Sequence, residues 1–153
     1  MEMKMNSYYS ALLIAASAGA AMALQGSLNS VLSKETGLLE ATLIVHLIGL
    51  AFLGILFALQ LNSGNLFDAG KAPWYSFLGG ILGVAIVYGV VVAIPRIGVA
   101  SATTAIIICQ VTTAMLIDHF GLFGLQSIPF NWYKLVGLLS LALGGYLVLG
   151  RVK

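Results

Sequence analysis

Gln25 and Asn29 stand four residues apart, so on a helix they share one face, and Met22 and Ala18 continue that stripe. Gln110 has Thr103 seven residues before it and Thr113 three after it, again one broad polar face. All of these positions fall within apolar runs. An amide there donates and accepts hydrogen bonds but does not ionise. The chemistry on offer is therefore recognition of a polar solute, or a hydrogen bond to a facing helix. Tyr88 offers a phenol for the same two purposes. His46 is the one ionisable residue well inside an apolar run, and imidazole changes charge near neutral pH. Glu40 lies six residues earlier, on a different face of an ideal helix, so the two need not pair. His46 and Glu40 are the candidates for a proton-sensitive group. The plainer roles are a structural hydrogen bond for the histidine and solvation at the membrane interface for the glutamate.

No catalytic constellation accompanies these residues. There is no Cys/His cluster at metal-ligand spacing, no phosphate-binding glycine loop, and no nucleophile beside a base. Asp118 and His119 are adjacent, which on a helix turns their side chains about 100° apart. The reading is a non-enzyme that calls for no cofactor and no metal.

Five apolar runs must position the polar residues. The chain has 153 residues, 60% hydrophobic and only 8% charged, with a mean hydropathy of +1.04. A soluble domain is about 25% charged, so this surface is suited to lipid rather than water. Spans are expected at 8–31, 38–61, 74–94, 98–117 and 132–149, each near the roughly 20 residues needed to cross a bilayer. Together they make an all-α integral membrane protein, one transmembrane domain over residues 1–153. Pro95-Arg96 is expected to break the third span. The Ala-rich stretch 15–23 resembles a signal-peptide cleavage region, but four more apolar runs follow it and it reads as the first span. Cys109 is the single cysteine, so no intrachain disulfide is available. A net charge of +2 with no basic cluster argues against nucleic acid as a partner.

Five spans put alternate loops on opposite sides. One side then holds Lys4, Lys71 and Lys134, and the other Lys34, Arg96, Arg151 and Lys153. Orientation is normally set by an excess of Lys and Arg on the cytoplasmic side, and three against four is almost none. Such a chain can insert both ways round, and two opposite copies can pair as an antiparallel dimer. That is the inverted-repeat geometry of many transporters. A monomer or a parallel dimer is the alternative. Membrane helices associate through small residues, and three spans carry them: Ala15, Gly19 and Ala23; Gly79 and Gly83; Gly137 and Gly144. Span five holds no site candidate, so Gly137 and Gly144 are assigned to the dimer contact. Packing within one subunit is the competing role.

Three segments carry a resemblance: Gln25-Gly26-Ser27-Leu28-Asn29, Pro95-Arg96-Ile97-Gly98-Val99-Ala100, and Gln110 followed by Ile117-Asp118-His119-Phe120-Gly121. Together they resemble the half-length, five-helix, YdcZ-like branch of the drug/metabolite transporter superfamily, over nearly the whole chain. The resemblance implies a dimeric transporter of the bacterial inner membrane, built from two copies or from two related chains. Two positions depart from the family pattern: Cys109 stands where glycine is usual, and His46 where phenylalanine is frequent. The related four-helix exporters use a glutamate in their first helix, and span one here has Gln25 and Asn29 but no central carboxylate.

The resulting expectation is a small-solute transporter working by alternating access as an inverted dimer in the bilayer. Its unidentified small-molecule substrate would meet Gln25, Asn29, Tyr88, Gln110 and Thr113, with Met22 as apolar surface. The competing expectation is a non-transporting membrane scaffold or partner subunit, whose midplane amides lie in dry helix contacts.

Overall fold

The structure, a computed structural model, describes residues 2–61 and 64–150. Among the described residues all regular elements are helical. The five α-helices are α1 (Glu2–Thr36), α2 (Leu38–Ala58), α3 (Leu78–Ile97), α4 (Val99–Phe120) and α5 (Trp132–Leu149), with short 3-10 turns at Leu66–Lys71, Trp74–Phe77 and Leu122–Gly124. Five stretches are long and apolar enough to cross a membrane: Tyr8–Thr36, Leu38–Ala58, Trp74–Ile97, Val99–Phe120 and Trp132–Leu149.

The helix ends differ from expectation for local reasons. Residues 32–36, past the expected end of the first span at 31, continue α1. Ser33 Oγ donates to Ser30 O at 2.8 Å and Thr36 Oγ1 to Leu32 O at 3.0 Å, so both hydroxyls fold onto the helix. Only Gly37 leaves it, with φ +102°. Pro95 does not break α3, which runs on to Ile97. A proline this close to a C-terminus forfeits one hydrogen bond with little helix left beyond it. The stop falls at Gly98, φ +83°. Gly121, in the left-handed region at φ +58°, ends α4 three residues later than expected.

The chain packs as two compact units, Met1–Pro95 and Arg96–Lys153. In the first, the buried residues are Gly26, Asn29 and Ser30 of α1, Ala41 and Thr42 of α2, and Val91 and Ile94 of α3. Most are small, and they gather toward the Gly37 end of α1 and α2. A Cβ added to Gly26 would stand 2.8 Å from Val90 Cγ1 and 3.1 Å from Ile94 Cδ1. The absent side chain leaves room for Val90 and Ile94 of α3 to reach the surface of α1, a use of small residues expected between membrane helices. Toward the other end large apolar residues such as Leu13, Phe52 and Ile81 stay exposed, in keeping with a lipid surface.

In the second unit α5 packs on α4 through Gly145, the buried residue of its helix. A Cβ there would meet Ile108 and stand 3.2 Å from Thr104 Cγ2. The connection folds back onto the end of α4. Asp118 O accepts from Ile128 N at 2.8 Å, and His119 O accepts from Ser127 Oγ at 2.9 Å. Phe130 N donates to His119 Nδ1 at 3.2 Å.

Candidate functional site

Polar side chains on the spans divide into two groups. Many of the hydroxyls bond back to their own helix, though among the described residues Ser30, Ser101, Thr103, Thr104 and Thr113 do not. Ser17 donates to Ile14 O, Ser27 to Ala23 O, Thr42 to Leu38 O, Thr112 to Ile108 O and Ser140 to Val136 O, all at 2.7–2.9 Å. His46 does the same. Its Nδ1 lies 2.7 Å from Thr42 O, and since a carbonyl only accepts, Nδ1 carries the proton. The ring is half-buried and Glu40 is exposed. The Glu40 carboxylate folds over Gly37, where a Cβ would overlap it. It thereby sets a negative charge at the N-terminus of α2, a favourable placement.

The amides form the second group. Among the described residues the side chains of Gln25, Asn29 and Gln110 make no hydrogen bond. Gln25 and Gln110 are exposed, whereas Asn29 is only 6% exposed. Leaving an amide unpaired away from water costs about 1–3 kcal/mol by protein mutational measures. None of the three is such a buried, unsatisfied group; each keeps its polar atoms open at the surface of the chain.

In the first unit, Met22, Gln25 and Asn29 form one stripe along α1, beside the Gly26 contact with Val90 on α3. Tyr88, exposed, lies two residues before Val90 on α3, which turns its side chain about 200° round the helix from that contact. The structure thus places Met22, Gln25 and Asn29 on one stripe of α1 and gives Tyr88 no contact with it. In the second unit Gln110 and Thr113 are both exposed on α4, and Thr103 is half-buried. Cys109 is free and exposed beside Gln110.

An open cleft of about 370 Å³ lies instead between α2 and α3, lined by Leu39, Glu40, Thr42, Leu43 and Val84. None of the expected solute-binding residues lines it, and its wall is mostly hydrocarbon. A lipid chain would suit it as well as a solute. No group of three or more His, Cys, Asp or Glu capable of holding a metal occurs among the described residues.

The expected small-residue faces are open. Gly19, Gly79, Gly83, Gly137 and Gly144 have nothing within 4 Å of an added Cβ. The glycines that do pack helices together, Gly26 and Gly145, were not singled out by sequence spacing. Gly26 sits seven residues after Gly19, so a longer stripe on α1 would have reached it. Gly145 adjoins Gly144, and spacing alone does not choose between them.

A model of the family described as "Putative inner membrane exporter, YdcZ" matches residues 10–147. No curated protein and no solved structure matches the chain.

Proposed function

Since the chain belongs to the YdcZ family of inner membrane exporters, within the drug/metabolite transporter group, we propose that it moves a small solute by alternating access as an inverted pair of copies. The family description fits a multi-pass protein of the bacterial inner membrane and a non-enzymatic role. The observation that carries the finer reading is that three amides on the spans find no hydrogen-bond partner among the described residues. Several hydroxyls on the same spans bond back to their own helices, whereas the Gln25, Asn29 and Gln110 amides, like the Thr113 hydroxyl, are left open. Polar groups held at membrane depth usually face a bundle interior or a water-filled path. Gln25, Asn29, Tyr88, Gln110 and Thr113 are assigned as the orienting groups, and Met22 as apolar surface. Two further features support the inverted pair: the three-against-four division of positive charges and the open Gly137–Gly144 face of α5.

The test is water access, which needs no knowledge of the solute. In a Cys109→Ala background, Gln110→Cys and Gln25→Cys in intact membranes should react with a membrane-impermeant maleimide. Gln110→Leu together with Gln25→Leu should abolish export-dependent resistance in a toxic-compound screen while leaving membrane insertion unchanged. Cysteines that stay unreactive from both sides would favour dry helix contacts, and with them a non-transporting subunit.

A further inference from the structure

Phe67 is 93% exposed, the most exposed large apolar side chain among the described residues. It does not sit on a random loop. Asn65 Oδ1 accepts from Phe67 N at 3.0 Å, Asp68 N donates to Asn65 O at 3.1 Å, and Ala72 N donates to Ala69 O at 3.0 Å. These bonds wind residues 66–71 into a 3-10 turn, in which side chains three apart eclipse one another. The turn therefore has three edges. Asp68 and Lys71 form a polar edge, ion-paired at 2.6 Å. Leu66 and Ala69 form a second edge, facing a cleft shared with Phe57 at the end of α2. The third edge is Phe67 with Gly70. Beyond it, the Trp74–Phe77 turn runs without a break into α3, and Trp74 is 76% exposed.

We propose that residues 66–77 are a membrane-interface platform. They lie flat in the headgroup zone of one leaflet, with Phe67 and Trp74 set among the lipid carbonyls and the Asp68–Lys71 pair turned to water. The occupant of the exposed edge is the phospholipid interface, for three reasons. The segment is continuous with a span, so its end is held at the bilayer surface by α3 itself. Its charged edge is self-neutralised, which leaves no net charge to recruit an ionic protein partner.

The third reason is where the other aromatic residues fall along the chain. Alternation of five spans puts this segment on the same side as Tyr8 and Tyr9 and as Trp132 and Tyr133, the last two 77% and 88% exposed. Both tryptophans and four of the six tyrosines thus belong to one end of the spans. The connections at 33–37 and 95–98, on the other side, contain no aromatic residue. Trp and Tyr are the side chains that favour the membrane–water interface. A protein-binding patch would not need them on every connection of one side. The inference depends only on the chain crossing a membrane, and would stand if no solute were transported.

A single-tryptophan reporter tests it in the full-length protein. Trp74→Phe and Trp132→Phe remove the native indoles, and Phe67→Trp places one at a site exposed enough to accept it. In phosphatidylcholine vesicles, lipid brominated near the headgroup should quench this tryptophan at least about twofold more than lipid brominated near the chain ends or aqueous iodide. That is the pattern of a ring seated about 5–10 Å into the interface. Lys71→Trp in the same background should show the reverse, with iodide the stronger quencher. Two results would overturn the proposal. Dominant iodide quenching at position 67 would mean a solvated loop. Protection from every quencher, relieved on diluting the protein in lipid, would mean that a second copy covers the edge.

Discussion

A Cβ placed on Gly145 would stand 3.2 Å from Thr104 Cγ2, while one placed on Gly144 would have no atom within 4 Å. Adjacent glycines on α5 thus face different surroundings, one the neighbouring helix of the same chain and the other open space. Gly145→Leu should destabilise the protein by about 1–3 kcal/mol, the usual cost of overpacking, and lower its thermal midpoint in detergent. Gly144→Leu should leave the thermal midpoint of the dissociated chain unchanged but shift the oligomer toward monomer in size-exclusion chromatography with light scattering. An unaltered oligomer in Gly144→Leu would remove α5 from the dimer contact.

That contrast marks how far the sequence could be read. The five spans and the depth of Gln25, Asn29 and Gln110 follow from one-dimensional hydropathy, since a polar residue at membrane depth is conspicuous against apolar neighbours. Which glycine touches a neighbour depends on how each helix is rotated about its axis. Gly19 and Gly26, or Gly144 and Gly145, look equivalent in the sequence, and tertiary packing alone separates them. The helix ends were misplaced for a related reason. Ser33, Thr36 and Pro95 read as breakers, but hydroxyls that bond back to the helix and a proline in its last turn interrupt nothing.

Gly37 and Gly98 make one-residue corners, between α1 and α2 and between α3 and α4, with similar backbone angles. Both combine positive φ with ψ near 160°, a region essentially reserved for glycine that costs an L-residue about 1–3 kcal/mol. Gly98→Ala should lose that amount, since nothing else lies within 4 Å of its Cβ position. Gly37→Ala should lose more, because the new methyl also displaces the Glu40 carboxylate from the N-terminus of α2. Glu40→Gln alongside Gly37→Ala would recover little, and thermal unfolding of the three variants would resolve the order.

His119, within the most specific part of the family resemblance, holds the α4–α5 connection through Phe130 N–H. Its Nδ1 must accept that bond, so the ring proton sits on Nε2. His119→Ala should cost about 0.5–1.5 kcal/mol, the net worth of one hydrogen bond. It should raise amide exchange across residues 125–130 more than within α4. His119→Asn, whose amide oxygen can accept the same bond, should restore most of the protection. Equal exchange in all three proteins would mean that Ser127 and Ile128 hold the connection without the ring.

Asn29 separates stability from function most sharply. It is 6% exposed and unbonded among the described residues, yet no buried side-chain polar atom there lacks a partner, so its amide atoms still reach the surface of the chain. Asn29→Leu removes no hydrogen bond of the single chain and should therefore leave the thermal midpoint within about 1 kcal/mol of the parent, while abolishing export in the same resistance screen. Destabilisation of more than about 2 kcal/mol would instead show that the amide is hydrogen-bonded in the assembled protein. Asn29 would then be a helix-packing residue, and the solute site would rest on Gln25, Tyr88 and Gln110.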